Sequence, residues 1–247
     1  MYKQFDKAAK TYNNYAEIQV ISTKKLMSRI DPCNPKSILD IGCGTGLLTK
    51  KIARSFPKAA IDAIDISIKM IDELNNQEIP NVNSIYCDFN NKSLTKKYGL
   101  VTSNAAIHWM NVGQSLKKIS NILSNNGSCY LAIFGPKTSV ELRRCLSEMN
   151  RTQAIVTEKF PTKEALQFIG NQYFFNWKID TEMITLPFNS IIQLLKTQKN
   201  TGVNHKPSAD GLWTPRILKT LQEKMLKNYG QVQLSYEIHF CKGSHHQ

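Results

Sequence analysis

Residues 36–50 read KSILDIGCGTGLLTK. An apolar run through Ile38 and Leu39 meets one acid, Asp40, and glycines follow at 42, 44 and 46. A helical pattern then begins at Leu47. A strand that enters a helix through a glycine-rich turn commonly holds a ligand there, and the spacing restricts its chemistry. The dinucleotide fingerprint GxGxxG requires glycine at 47, where this chain has Leu47. A P-loop requires Gly-Lys-Ser/Thr at the helix start, which is also missing. A diphosphate is held by backbone N–H groups at a helix N-terminus, and Asp40 would oppose it. Two unit charges about 4 Å apart interact by roughly 4 kcal/mol at an effective dielectric near 20. The turn therefore favours a ligand that carries a cation, and the glycines let the backbone approach it closely.

Outward from the turn, strand patterns at 37–41, 59–64, 82–87, 99–104 and 127–134 alternate with helix patterns at 46–55, 67–76 and 113–124. That rhythm predicts parallel βαβ units with right-handed crossovers, a doubly wound sheet of Rossmann-like type. Upstream, residues 4–29 have helical character interrupted at Asn13-Asn14, and Asp31-Pro32 and Asn34-Pro35 break the chain. Downstream the rhythm changes. A helix is expected over 138–149, Thr162 caps another, and 173–186 reads as a strand. A helix over 189–197, a loop NTGVNHKPSADGLW, a helix opened by Pro215 and a final strand in QVQLSYEIHF complete the chain. The expectation is an α/β fold with seven strands, mostly parallel. One domain spans 1–247, with a helical cover over 1–30, a cofactor-binding core over 36–135, lid and acceptor-side elements over 138–170 and 187–230, and a last strand over 231–241.

The 247 residues are 41% hydrophobic and 21% charged, enough for one large α/β domain. No apolar run is long enough for a membrane span, and the N-terminus lacks a signal-peptide core. Six cysteines lie scattered with no CxxC, which reads as free thiols in a reducing cytoplasm and gives no metal site. The net charge of +13 favours an acidic partner, or reflects a lineage rich in Lys, Asn and Ile. No arginine-rich tail or basic-aromatic stripe occurs, which disfavours nucleic acid as the partner.

S-adenosylmethionine suits the glycine turn, since it carries an ammonium, a sulfonium and a single carboxylate. Further candidates stand where strands end, which is where open α/β sheets bind ligands. Asp65, followed by Ile66, closes the second strand and can take both ribose hydroxyls. Asp62 is the competing acid, but strand parity and the helix start at Ser67 favour Asp65. Asp88 follows the third strand and can accept from an adenine amine, with Phe89 beside it as an apolar face. Asn104 ends the fourth strand and faces the same crevice. Together, Asp40-x-Gly-x-Gly-x-Gly, Asp65, Asp88 and Asn104 resemble the class I S-adenosylmethionine-dependent methyltransferases over residues 36–135. The resemblance implies S-adenosylmethionine as cofactor, S-adenosylhomocysteine as product, and no metal.

A carboxylate acceptor is ionised at pH 7 and needs no general base, its reference pKa being about 4. Base methylases often carry Asn/Asp-Pro-Pro-Tyr/Phe after the fourth strand, where this chain reads SNAAIHWM. The flanks FDKAAKTYNNYAEIQ, SNAAIHWMN, FGPKTSVELRRCL, KFPTKEAL and LLKTQKNTGVNH resemble the malonyl-[acyl-carrier protein] O-methyltransferases of biotin synthesis. That resemblance implies methylation of the free carboxyl of a malonyl thioester on acyl-carrier protein. It also implies that Tyr12 and Gln19 close over the cofactor and that His108 and Trp109 line the acceptor pocket, although the family more often has Gln-Trp there. Arg143 or Arg144 would pair with the malonyl carboxylate or the acidic carrier. Rival readings are a methyltransferase for a small free acid of aconitate type, an RNA methyltransferase, and a cofactor-binding assembly factor.

Overall fold

The computed structural model describes residues 3–151, 156–203 and 213–244. The chain starts as α1 (Lys3–Ala8), a 3-10 helix over Ala9–Asn14, and α2 (Glu17–Met27), so the interruption expected at Asn13-Asn14 falls just after it, at Tyr15-Ala16. Strands β1 (Ser37–Ile41), β2 (Ala60–Asp65), β3 (Val82–Tyr86), β4 (Tyr98–Asn104) and β5 (Leu123–Phe134) pair in parallel. Their crossovers include α3 (Leu47–Ser55), α4 (Ile68–Asn75) and α5 (Val112–Ile122). Then follow α6 (Val140–Ser147), α7 (Lys163–Tyr173), β6 (Phe175–Phe188), α8 (Ile191–Asn200), α9 (Pro215–Tyr229) and β7 (Val232–Ser244). The sheet order is β3-β2-β1-β4-β5-β7-β6, with β7 antiparallel to both of its neighbours. This is the seven-stranded, mostly parallel, doubly wound sheet that the alternation called for. Its order reverses between β1 and β4, which opens a crevice at their carboxyl ends.

Period-2 alternation sends each strand's side chains into two cores. Ile38, Tyr130, Ala132, Phe134, Leu234 and Ile238 face one side, with Leu26 of α2, Ile52 of α3, Leu142 of α6, Leu194 of α8 and Leu221 of α9. Leu39, Ile41, Val101, Leu131 and Ile133 face the other, with Leu116 and Ile119 of α5 and Leu166 of α7. The segments after residue 135 thus supply helices that cover the sheet. At the end of α8, Gly202 abuts Phe5 so closely that a β-carbon would overlap its ring.

Most boundaries fall within three residues of the expected pattern, and the largest difference is at β5. The strand predicted from 127 begins at Leu123, and the preceding helix ends at Ile122. Asn126-Gly127 looks like a turn but marks an irregularity inside the strand, where the register to β4 shifts between Tyr98 and Leu100. A β-carbon on Gly127 would sit 2.8 Å from the Tyr98 carbonyl oxygen and 2.9 Å from the Ser124 backbone, so the bulge closes only over glycine.

Candidate active site

The three glycines of the turn all have positive φ but serve different ends: 67° at Gly42, 55° at Gly44 and 88° at Gly46. A β-carbon on Gly42 would overlap the Ala106 methyl, so this glycine lets the β1 and β4 loops meet. One on Gly46 would lie 2.5 Å from Leu74 Cδ1, so this glycine lets α3 approach α4. Gly44 has nothing within 4 Å on that side and bares its backbone to open space. The turn is held by Gly42 N–H and Cys43 N–H, which donate to Ile64 O at 2.8 and 3.0 Å, and by Gly44 N–H, which donates to Asp65 Oδ2 at 2.9 Å.

A cavity of about 300 Å³ fills the crevice. Gly42 and Gly44 form one wall, Asp65 and Ile66 the next, and Asp88, Phe89 and Asn104 continue it. Tyr12 and Phe5 approach from the N-terminal segment, and Trp109, Met110 and Asn111 stand at the far end. Behind the turn lies a second space of about 30 Å³, about the room a water needs, bordered by Tyr12, Gln19, Asp40, Gly44 and Asn104. Residues from four strand ends and the N-terminal segment therefore converge, as their spacing in sequence predicts. Gly46 is the exception among the glycines, since it borders neither space.

The polar groups have distinct states. Asp65 Oδ1 accepts from Ser67 N–H at 2.8 Å, while Oδ2 takes the Gly44 N–H. The Ile66 backbone bonds it as well, and the carboxylate keeps some acceptor capacity because it has about four acceptor sites. Burial pushes this carboxyl above the usual range, against the backbone hydrogen bonds. Asp40 is 1% exposed; burial raises it to about 6 although Thr49 Oγ1 at 2.6 Å and Thr102 Oγ1 at 3.2 Å both bond it. Asp88 is held by Asn90 N–H at 2.9 Å and Asn91 Nδ2 at 2.8 Å. Phe89 is buried, with the Lys118 ammonium 4.6 Å from its ring centroid. Burial, and then the charge of Asp65, push the Tyr12 phenol well above the ordinary tyrosine range. Gln19 Oε1 is buried with no hydrogen-bond partner among the described residues. A buried acceptor left bare costs free energy until a donor arrives. An orphaned acceptor, a buried carboxylate beside open glycine backbone, and a second carboxylate with lone pairs to offer suit a ligand with a cation at one end and a diol further along. S-adenosylmethionine has both.

Several expected residues do other work. Asn104 borders the cavity, but its carboxamide is turned to α2. Its Nδ2 donates to Thr23 Oγ1 at 2.9 Å and Gln19 O at 3.1 Å, and its Oδ1 accepts from Ser22 Oγ at 2.6 Å. His108 is not in the cavity wall. It is buried against Phe134 and Phe160, with ring centroids 5.0 and 4.3 Å away, and its Nδ1 accepts from Phe134 N–H at 3.2 Å. Burial drops it to about 3, so the ring is neutral and serves as core. Trp109 does reach the cavity and meets Phe5 edge-on at 6.0 Å. Arg143 donates to Pro136 O at 3.1 Å and pairs with Glu158 at 3.4 Å; Arg144 pairs with Glu148 at 3.3 Å on an exposed face. Neither arginine borders the cavity. Asp62 is away from it too, bonded by Lys96 at 2.6 Å, Tyr98 at 2.9 Å and Asn83 at 3.0 Å, as strand parity requires.

Sequence reasoning missed Phe5, Met110 and Asn111, and it missed the contacts that seat the N-terminal segment. Ser67 Oγ donates to Asp6 at 2.6 Å, and Thr45 Oγ1 donates to Asn13 at 2.6 Å. The available signal was the pair of flanks FDKAAKTYNNYAEIQ and SNAAIHWMN, which contain Phe5, Asp6, Asn13, Met110 and Asn111.

Residues 38–127 match the model of a methyltransferase domain family. The chain is 31% identical over 232 residues to malonyl-[acyl-carrier protein] O-methyltransferase 1 of Ilyobacter polytropus, covering 92% of this chain and 86% of that protein. It is 26% identical to the malonyl-[acyl-carrier protein] O-methyltransferase of Halalkalibacterium halodurans, covering 95% of this chain and 94% of the other. Among solved structures, the YcgJ protein of Bacillus subtilis superposes with a TM-score of 0.65 at 11% identity, over 92% of this chain and 99% of its own. Phosphoethanolamine N-methyltransferase 2 of Haemonchus contortus, solved with S-adenosylhomocysteine, gives 0.59 at 14% identity, over 91% of this chain and 52% of its own. Both structures share the fold.

Proposed function

The chain belongs to the malonyl-[acyl-carrier protein] O-methyltransferase family, and from that premise we propose that it methylates the free carboxylate of a malonyl thioester on acyl-carrier protein, using S-adenosylmethionine. The observation that carries the reading is the cavity at the β1/β4 reversal, where Gly44 backbone lies open beside Asp65. In this reading Asp65 takes the ribose hydroxyls, with Ile66 packed alongside. Asp88 and Phe89 receive the adenine. Asp40 and the bare Gln19 oxygen receive the ammonium end, and Tyr12 covers it.

When bound, S-adenosylmethionine supplies a methyl group on a positively charged sulfur. The protein's tasks are alignment and exclusion of water. No residue need take a proton, because the acceptor carboxylate is already ionised at neutral pH. Phe5, Trp109 and Met110 at the far end of the cavity supply apolar surface against which that carboxylate loses water and becomes a stronger nucleophile. The product ester is uncharged, which lets the chain be treated as an ordinary acyl primer on the route to biotin. The test is transfer of labelled methyl from S-adenosylmethionine to malonyl-carrier protein, set against free malonate and aconitate. Labelling of the carrier-linked acid and restored growth of a biotin auxotroph lacking this step are expected. Labelling of free acids alone would replace the reading with the small-acid alternative.

A further inference from the structure

The acceptor end of the cavity lies under α1. Phe5 forms part of its wall, meets Trp109, and on its other side abuts Gly202 just past α8. The helices α1 and α8 therefore pack together, and α1 brings Phe5 to the cavity. Lys3, Lys7 and Lys10 recur at i, i+4 and i+7, which puts them on one side of the N-terminal segment, and all three are exposed. Lys196 and Lys199 recur at i, i+3 on α8 and are exposed too. The only acid of residues 3–14, Asp6, is turned inward to Ser67, and α8 contains none.

Among the described residues, none of these five lysines has an ion pair, and Lys196 lies 5.7 Å from the Tyr15 ring centroid. Some other cations are matched, Lys25 and Arg29 with Glu182, Lys96 with Asp62, Arg143 with Glu158 and Lys224 with Glu148, while others such as Lys24, Lys58 and Lys227 stand singly without an ion pair among the described residues. Five uncompensated like charges on two adjoining elements, one of which supplies Phe5 to the cavity wall, repel each other and create a local positive field that an anionic surface relieves. Lys50, Lys51 and Arg54 also lack ion pairs among the described residues, but they border a different cleft behind Gly46.

We propose that the exposed lysines of the N-terminal segment (Lys3, Lys7 and Lys10) and of α8 form the docking surface for the acidic face of the carrier protein. The inference rests on the function proposed above. Charge complementarity gives the occupant, and the tether gives the place. A malonyl group attached to its carrier reaches the methyl donor only if the carrier sits at the cavity mouth, which α1 borders and α3 does not.

The test compares two acceptors, malonyl-carrier protein and the small malonyl thioester of N-acetylcysteamine. The variant carries Lys3→Glu, Lys7→Glu, Lys10→Glu and Lys199→Glu, and the control carries Lys50→Glu, Lys51→Glu and Arg54→Glu. The quadruple variant should lose about tenfold or more in kcat/KM for the carrier-linked acceptor, mainly through KM, and stay within about twofold on the small thioester. Wild-type turnover of the carrier-linked acceptor should fall between about 50 and 300 mM salt, and that of the small thioester should not. Should charge reversal impair the small thioester as well, the four Lys→Gln changes must still lower carrier turnover selectively. Unchanged carrier kinetics in the variant, an equal loss in the control, or binding of RNA in place of carrier at this surface overturns the docking site. A wild-type protein that methylates neither thioester overturns the proposed function instead.

Discussion

At the scale of single residues, Asp40 couples stability to ligand binding. Its carboxyl is raised from 3.8 to about 6, chiefly by burial. A value higher in the folded than in the unfolded chain means the group's stabilising contribution is full below about pH 4 and is lost as pH rises through about 6. The difference corresponds to roughly 3 kcal/mol. Asp40→Asn should therefore raise the stability of the ligand-free protein at pH 7.5, with the gain vanishing below about pH 4, as urea melts at a series of pH values would register. Asp40→Ala should weaken S-adenosylmethionine binding by tenfold or more (roughly 1.5–3 kcal/mol for a charged hydrogen bond), read by calorimetry. Gln19→Leu separates the two effects further. It should lower cofactor affinity about tenfold while leaving the melting temperature unchanged or slightly higher, because it deletes an acceptor that is bare without ligand. Asp40, Asp65 and the glycines were legible in sequence because strand parity and turn sterics restrict what those positions can do. His108 and Arg143 were not. A histidine after a strand can face a cavity or a core, and only Phe134 and Phe160, supplied from far along the chain, decide which.

At the scale of elements, the N-terminal segment is a separate piece latched over the crevice by side chains. Asn104 binds three groups of α2, Asn13 binds Thr45 and Asp6 binds Ser67. Asn104→Ala should cost about 1–3 kcal/mol by leaving Ser22 and Thr23 partly unsatisfied. It should also speed amide exchange in residues 17–27 above that in β1 and β4, by hydrogen-exchange mass spectrometry. Unchanged exchange there would remove Asn104's role as a latch. The break before α2 was readable to within two residues from Asn13-Asn14, and the helix starts from Ser67 and Thr162. The start of β5 was not, since a glycine inside a bulge and a glycine in a turn carry the same local signal.

At the scale of the molecule, one sheet joins every core, so unfolding should be a single cooperative transition. S-adenosylhomocysteine at about 100 times its dissociation constant should add about 2.7 kcal/mol. For a chain of this size that amounts to a shift of roughly 5–10 °C by thermal melting. Two resolved transitions would contradict the one-domain reading. The positive charge of the whole chain was legible from composition, but the meeting of the N-terminal and α8 lysines depends on α8 lying against α1, which no local pattern contains.

The place of β7 has a consequence for synthesis. It pairs with β5 over Ser128–Phe134 and with β6 over Phe175–Phe188, yet it is made after both. Until Val232–Ser244 clears the ribosome, β5 and β6 each present an unpaired edge, and the sheet cannot close. A nascent chain of this protein is thus vulnerable to aggregation until that strand is made, and its demand for chaperones should fall once the strand slots between its neighbours.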